Sequence, residues 1–141
     1  FPFVGFDEKP IDNLCLELAA DPSRFDVLVM ENLFGDVISD LCAGLVGGLG
    51  VVPGANLGGR YAVFEAVHGS APDIAGKGIA NPLAAVLSAA LMLDHLGLAA
   101  GAGAVRAAVS KVLADGAVKT PDLGGTATTT QMGDAVVAAI G

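Results

Sequence analysis

Positive charge is scarce in this chain. Seven Lys plus Arg stand against fifteen Asp plus Glu, a formal net charge of −8, and no basic cluster occurs anywhere along the sequence. A nucleic-acid or anionic-membrane surface relies on such a cluster, so neither partner is expected. Long apolar runs are missing too, although the chain is hydrophobic on average. The longest charge-free stretch, Leu41 to Gly59, contains seven glycines and a proline. The apolar run Leu83 to Leu93 is too short to cross a bilayer, so no membrane span is expected. Cysteine is limited to Cys15 and Cys42, both inside apolar patterns and without CxxC or metal-ligand spacing. They read as reduced core thiols of a cytosolic protein. The start at Phe1, without an initiator methionine or a signal-like segment, reads as a piece of something longer. No internal repeat or low-complexity segment is found.

What is present is an alternation of periodic segments. Residues 9 to 20 carry Ile11, Leu14, Cys15 and Leu18 at helical spacing, with Pro10 suited to the first turn, and DPSR breaks the helix. FDVLVM, 25 to 30, is a continuous valine-rich run, the pattern of a parallel strand buried on both faces. A helix is predicted from about 33 to 46. The segment GGLGVVPGANLGG is read as loop, and YAVFEAV, 61 to 67, as the second strand. Asn81 and Pro82 then open a helix that Gly97 closes, apolar nearly all round and therefore buried. A further helix, about 102 to 115, places Val105, Val109 and Val112 inward and Arg106 and Lys111 outward. The last, about 129 to 140, begins with Thr128 and Gln131 at capping-box spacing. Strands alternating with helices through long connections predict an α/β layered architecture.

The helix predicted from 33 to 46 carries the first chemical signal. Ile38, Leu41, Cys42 and Leu45 fall on one side at about 100° per residue, while Asp36 and Asp40 stack one turn apart on the other. Ala43, Gly44 and Gly47 surround them, small residues that leave room for a ligand or another backbone. Two carboxylates so placed repel unless a cation lies between them, and Mg²⁺ or Mn²⁺ takes oxygen ligands at such spacing. The plainer reading stays open: Asp36 favours the helix N-terminal dipole and Asp40 is a surface charge. Position adds weight to a site, because ligands of open α/β sheets bind beyond the carboxyl ends of strands.

The second signal is HGSAPDIAGKGIANP, 68 to 82, which also follows a strand. It is no P-loop, since GxxxxGK[ST] requires Gly at 71 and Ser or Thr at 78, where the chain has Ala71 and Gly78. No GxGxxG fingerprint exists either. What remains is a loop of small residues with His68, whose ring can stack on or hydrogen-bond a purine, and Asp73, whose carboxylate can accept from a ribose hydroxyl. A structural crossover with a solvated lysine is the alternative.

ENLFGDVISDLCAGLVGGLGVVPGANLG, FEAVHGSAPDIAGKGIANP and DLGGTATTTQMGDAV together resemble the C-terminal part of the β-decarboxylating dehydrogenases of isocitrate, 3-isopropylmalate, homoisocitrate and tartrate. CAGLVGGLGVVPGAN and FEAV are most similar to the NAD-dependent isocitrate dehydrogenases, while TQMGDAV leans slightly toward the isopropylmalate enzymes. The resemblance implies part of the isopropylmalate dehydrogenase-like fold. Residues 1–24 would end the small dimerisation domain, and residues 25–141 would form the C-terminal half of the large, cofactor-binding domain.

The same resemblance implies roles. Asp36 and Asp40 match two metal-ligating aspartates, and Asp12 matches a third that reaches the metal of the partner subunit, so the active site is shared across a homodimer. His68, Gly69, Ser70, Ala71 and Asn81 match an adenine-binding loop. Asp73 and Ile74 stand where NADP-using members carry Lys and Tyr, which implies NAD. Glu65 and Asn56 match motif positions without a firm role. The family's substrate-gripping arginines, its Ser-x-Asn segment and its catalytic Tyr and Lys would lie upstream, so no catalytic residue is expected in this chain. The implied activity is NAD-dependent oxidation of isocitrate, or a similar 2-hydroxy acid with a β-carboxylate, to a 2-oxo acid and CO₂ with Mg²⁺ or Mn²⁺. The implied compartment is the cytoplasm, or the mitochondrial matrix in a eukaryote. A non-catalytic, nucleotide-binding subunit of the same fold is the competing expectation.

Overall fold

Helix α1 (Ile11–Ala20) forms where the apolar spacing predicts it in the computed structural model of this chain, which describes residues 1–141. Asp12 lies in its first turn, the favourable end of the helix dipole. The DPSR break is a 3₁₀ turn (Pro22–Arg24), capped by Asp21, which accepts from the Ser23 amide at 3.2 Å and its hydroxyl at 2.6 Å. Helix α2 (Asn32–Leu45) follows. Leu14 and Leu18 of α1 pack with Ile38 of α2, and Ile11, Cys15, Phe25, Met30, Leu41 and Cys42 close around them. Both cysteines are free and half-buried against this cluster. Lys9 bridges Glu17 at 3.1 Å and Asp7 at 3.3 Å. The hydrogen bond to Glu17, then that to Asp7, raises the Lys9 ammonium above its usual pKa. These elements make one compact unit, Phe1–Leu45.

FDVLVM does not form the expected parallel strand. Residues 25–30 have no ladder partner, and Val27 and Val29 are 76% and 92% exposed. A strand exists only where a neighbour satisfies its backbone N–H and C=O groups, and the chain supplies none beside this run.

The second unit, Val46–Gly141, holds the only sheet. It is antiparallel, not parallel: β1 (Pro53–Leu57) pairs with β2 (Ala62–Ala66) in the register Pro53↔Ala66 to Leu57↔Ala62. The segment read as loop therefore contains a 3₁₀ turn (Leu49–Val51) and a strand. Pro53 is tolerated because it opens the strand, where a missing N–H matters least. Gly54 is required by close approach, since a Cβ there would lie 2.8 Å from the Glu65 carbonyl oxygen.

Helices α3 (Leu83–His95), α4 (Ala99–Asp115) and α5 (Thr129–Ile140) complete this unit. Helix α3 lies against both strands and against α4, which in turn packs on α5. Ser88, buried in α3, fastens the helix to the hairpin: its hydroxyl accepts from the Gly54 amide at 3.3 Å, and its hydrogen lies within reach of the Glu65 and Ala84 carbonyls, both at 2.9 Å. The core is Leu83, Ala108, Val109, Val112, Met132 and Val136. Helix α4 starts a few residues earlier than predicted and ends at Gly116, whose left-handed φ of 64° suits the C-terminal position. The Thr128–Gln131 capping box forms in both directions. No helix is long and apolar enough to cross a membrane.

Candidate functional site

Asp36 and Asp40 occupy α2 with Ile38 buried on the opposite side. Both aspartates are exposed, and neither is paired with a lysine, arginine or histidine. The Ser39 hydroxyl donates to the Asp36 carbonyl at 3.0 Å, which ties the backbone of this turn and leaves both carboxylates free. The small residues expected around the pair divide: Gly44 is open, Ala43 is only 1% exposed, and Gly47 lies past the helix end with φ 117°. Ala43 therefore lines the packed side of the helix and not the open face. Asp12 is exposed on α1, and its carboxylate accepts from the Asn13 amide at 2.9 Å. No group of three or more His, Cys, Asp or Glu side chains is gathered anywhere in the chain, so Asp12 does not join the pair. Two carboxylates are hard oxygen donors that fit Mg²⁺ or Mn²⁺, and they leave most of its coordination to other ligands.

In the second unit, residues 68–82 leave β2 as turns without helix or strand. His68 is exposed, and its Nδ1 lies 3.0 Å from the Gly69 carbonyl oxygen. A carbonyl can only accept, so this contact puts the proton on Nδ1 and leaves Nε2 of the neutral ring as an acceptor. Gly69, Ser70, Ala71 and Asp73 are exposed and Ile74 half-buried. Ala71, at φ 43°, is the only non-glycine residue with left-handed backbone in the chain. Strain of this kind clusters at ligand sites. The Asp73 carboxylate has no cationic partner.

Asn81 differs from its neighbours in being 7% exposed and already engaged. Its Oδ1 accepts from the Leu83 amide at 3.0 Å and its Nδ2 donates to Asp122 Oδ2 at 2.9 Å. Helix α3 starts one residue later than the Asn-Pro pattern predicts, with Pro82 at the N-cap, but the Asn81 side chain still satisfies the Leu83 amide and fixes the loop's end. Asn56 Nδ2 donates to Glu65 Oε1 at 3.2 Å across the hairpin, which joins the two motif residues without a firm role. Sequence reading missed Asp122 and Thr129, which reach the loop from more than forty positions away. The motif DLGGTATTTQMGDAV contains both, but spacing alone does not show what they touch. A surface depression lined by Lys119, Thr126, Gln131 and Asp134 includes neither the aspartate pair nor the loop.

A family model described as isocitrate/isopropylmalate dehydrogenase matches residues 1–136. The chain is 58% identical over 140 residues to the isocitrate/homoisocitrate dehydrogenase of Thermus thermophilus, covering 99% of this chain and 42% of that protein. It is 55% identical over 125 residues to the human mitochondrial isocitrate dehydrogenase [NAD] subunit alpha, covering 88% of this chain and 34% of that one. The crystal structure of isocitrate dehydrogenase from Methylococcus capsulatus superposes with a TM-score of 0.93 at 49% identity, over 99% of this chain and 42% of that chain. The mixed helix and strand arrangement is thus a fragment of a dehydrogenase fold. The chain belongs to the isocitrate/isopropylmalate dehydrogenase family, and it spans between a third and about two-fifths of the length of these relatives.

Proposed function

We propose that this chain is the C-terminal part of an NAD-dependent β-decarboxylating dehydrogenase that oxidises isocitrate to 2-oxoglutarate and CO₂. The observation that carries this reading is the pair Asp36 and Asp40, exposed, one turn apart and without a cation partner. Residues 1–24 are read as the end of the dimerisation domain and residues 25–141 as half of the cofactor-binding domain.

When bound, a divalent cation supplies Lewis-acid polarisation of the substrate's oxygens and the dinucleotide accepts the hydride. Asp36 and Asp40 hold Mg²⁺ or Mn²⁺ with their carboxylates, and Asp12 offers its own to the metal of a partner subunit in a homodimer. In the loop, Asp73 accepts from a ribose 2′-hydroxyl, and the Nε2 lone pair of His68 suits an amino donor such as adenine's. Gly69, Ser70 and Ala71 let the base approach the backbone, Ile74 offers a 2′-phosphate no donor, and Asn81 sets the loop's end. The chain contributes no general acid or base to this reading; those groups belong to upstream sequence. The proposed compartment is the cytoplasm, or the mitochondrial matrix in a eukaryote.

Homoisocitrate is the second substrate reading, favoured by the 58% identity to the isocitrate/homoisocitrate dehydrogenase of Thermus thermophilus. Full-length protein assayed with each 2-hydroxy acid, NAD and Mg²⁺ separates them. NADH formed fastest from isocitrate, with none formed by residues 1–141 alone, is the expected result. Faster turnover of homoisocitrate would reassign the substrate, and robust turnover by residues 1–141 alone would contradict the assignment of catalysis to upstream residues.

A further inference from the structure

The loop 68–82 is held unevenly. In its first half the hydrogen bonds are local: His68 with the Gly69 carbonyl at 3.0 Å, the Ile74 amide to Ala71 at 3.1 Å and the Lys77 amide to Ile74 at 3.1 Å. The second half is tied to distant elements. Thr129, the first residue of α5, donates twice, from its amide to the Gly78 carbonyl at 2.8 Å and from its hydroxyl to the Ala80 carbonyl at 2.6 Å. Asp122, in the 3₁₀ turn Pro121–Leu123, accepts from Asn81. Gly50 closes the junction: a Cβ there would stand 2.6 Å from Asp122 Oδ2 and 3.0 Å from Asn81 Cβ, so no side chain fits between the elements.

The geometry points to Thr129 and Asp122 as positioning residues for dinucleotide binding, acting on the loop and not on the cofactor. This rests on the reading of the loop as an adenosine site. Anchoring Gly78 to Asn81 leaves only residues 67–77 between the end of β2 and the first fixed point. A shorter free segment has fewer conformations to lose when His68 and Asp73 close on a ligand, so binding is tighter. Without the anchor the same contacts can form, at a higher entropic cost.

Thr129→Val removes the hydroxyl donor and keeps the branched shape and the amide bond to Gly78; Thr129→Ser restores the hydroxyl. Two readouts apply. Trypsin cleavage after the exposed Lys77 in the full-length protein reports the anchor without any cofactor. The KM for NAD of the full-length protein reports its consequence. Thr129→Val is expected to speed cleavage about three- to tenfold and to raise KM by a similar factor, the scale of one hydrogen bond, with kcat and thermal midpoint nearly unchanged. Thr129→Ser should behave as wild type on both. Unchanged cleavage in Thr129→Val, or a serine variant as weak as valine, overturns the anchor. Faster cleavage with an unchanged KM overturns its role in binding. A wild-type protein that uses no NAD overturns the adenosine reading itself, a result that trypsin cleavage cannot produce.

Discussion

The side-chain amide of Asn81 spans two structural tasks at once: Oδ1 accepts from the Leu83 amide at 3.0 Å while Nδ2 donates to Asp122 at 2.9 Å. The first bond satisfies a free N–H at the start of α3, and the second joins that start to a turn 41 residues away. Leu83, the next residue but one, is fully buried in the core of the second unit.

Asn81→Ala should therefore cost about 1–2 kcal/mol, combining the lost bond to the Leu83 amide with the lost bond to Asp122, whose exposed carboxylate is then hydrated. Asp122→Asn, which keeps an acceptor for Asn81, should cost much less. Urea unfolding of residues 1–141 followed by circular dichroism measures both. Equal losses in the two variants would show that the bridge is not what stabilises this junction.

Replacing one carboxylate of the helix pair tests the metal assignment. Asp36→Asn keeps the size and removes the charge, and Asp36 is exposed, so the fold should be unaffected. In the full-length protein, Mn²⁺ titration should show at least ~10-fold weaker binding, equivalent to about 1.4 kcal/mol, and activity should fall with it. An unchanged titration would remove Asp36 from the metal site.

Helices were legible because their information is local. Ile11, Leu14 and Leu18, the Asn81–Pro82 start and the Thr128–Gln131 box all act within a turn or two of themselves, and each element appears within a few residues of its predicted bounds. Strands depend on partners. FDVLVM has the composition of a buried strand, but the chain provides nothing for it to pair with. Pro53 and Gly54 hid β1, because proline at a strand's first residue and glycine at a close approach look like loop when the neighbouring strand is out of view. The candidate residues were singled out by type and motif, and the structure adds that Asp36 and Asp40 have no cation partner. The loop's anchoring was not legible: nothing local to Thr129 or Asp122 indicates that they hold Gly78, Ala80 and Asn81.

Cofactor choice tests the central claim most directly, because it rests on two adjacent side chains. A charge-assisted hydrogen bond from a ribose 2′-hydroxyl to Asp73 is worth roughly 1.5–3 kcal/mol. A 2′-phosphate would bring about −1.5 to −2 charge to the same carboxylate, with Ile74 offering no donor. Lys77 is exposed and makes no ion pair with Asp73, which leaves that carboxylate without a bound counter-charge. Steady-state kinetics of the full-length protein with both dinucleotides should give a kcat/KM at least ~10-fold higher for NAD. Asp73→Lys with Ile74→Tyr should move the ratio toward NADP. A wild-type protein that prefers NADP, or a double variant with an unmoved ratio, would contradict the assignment of this loop.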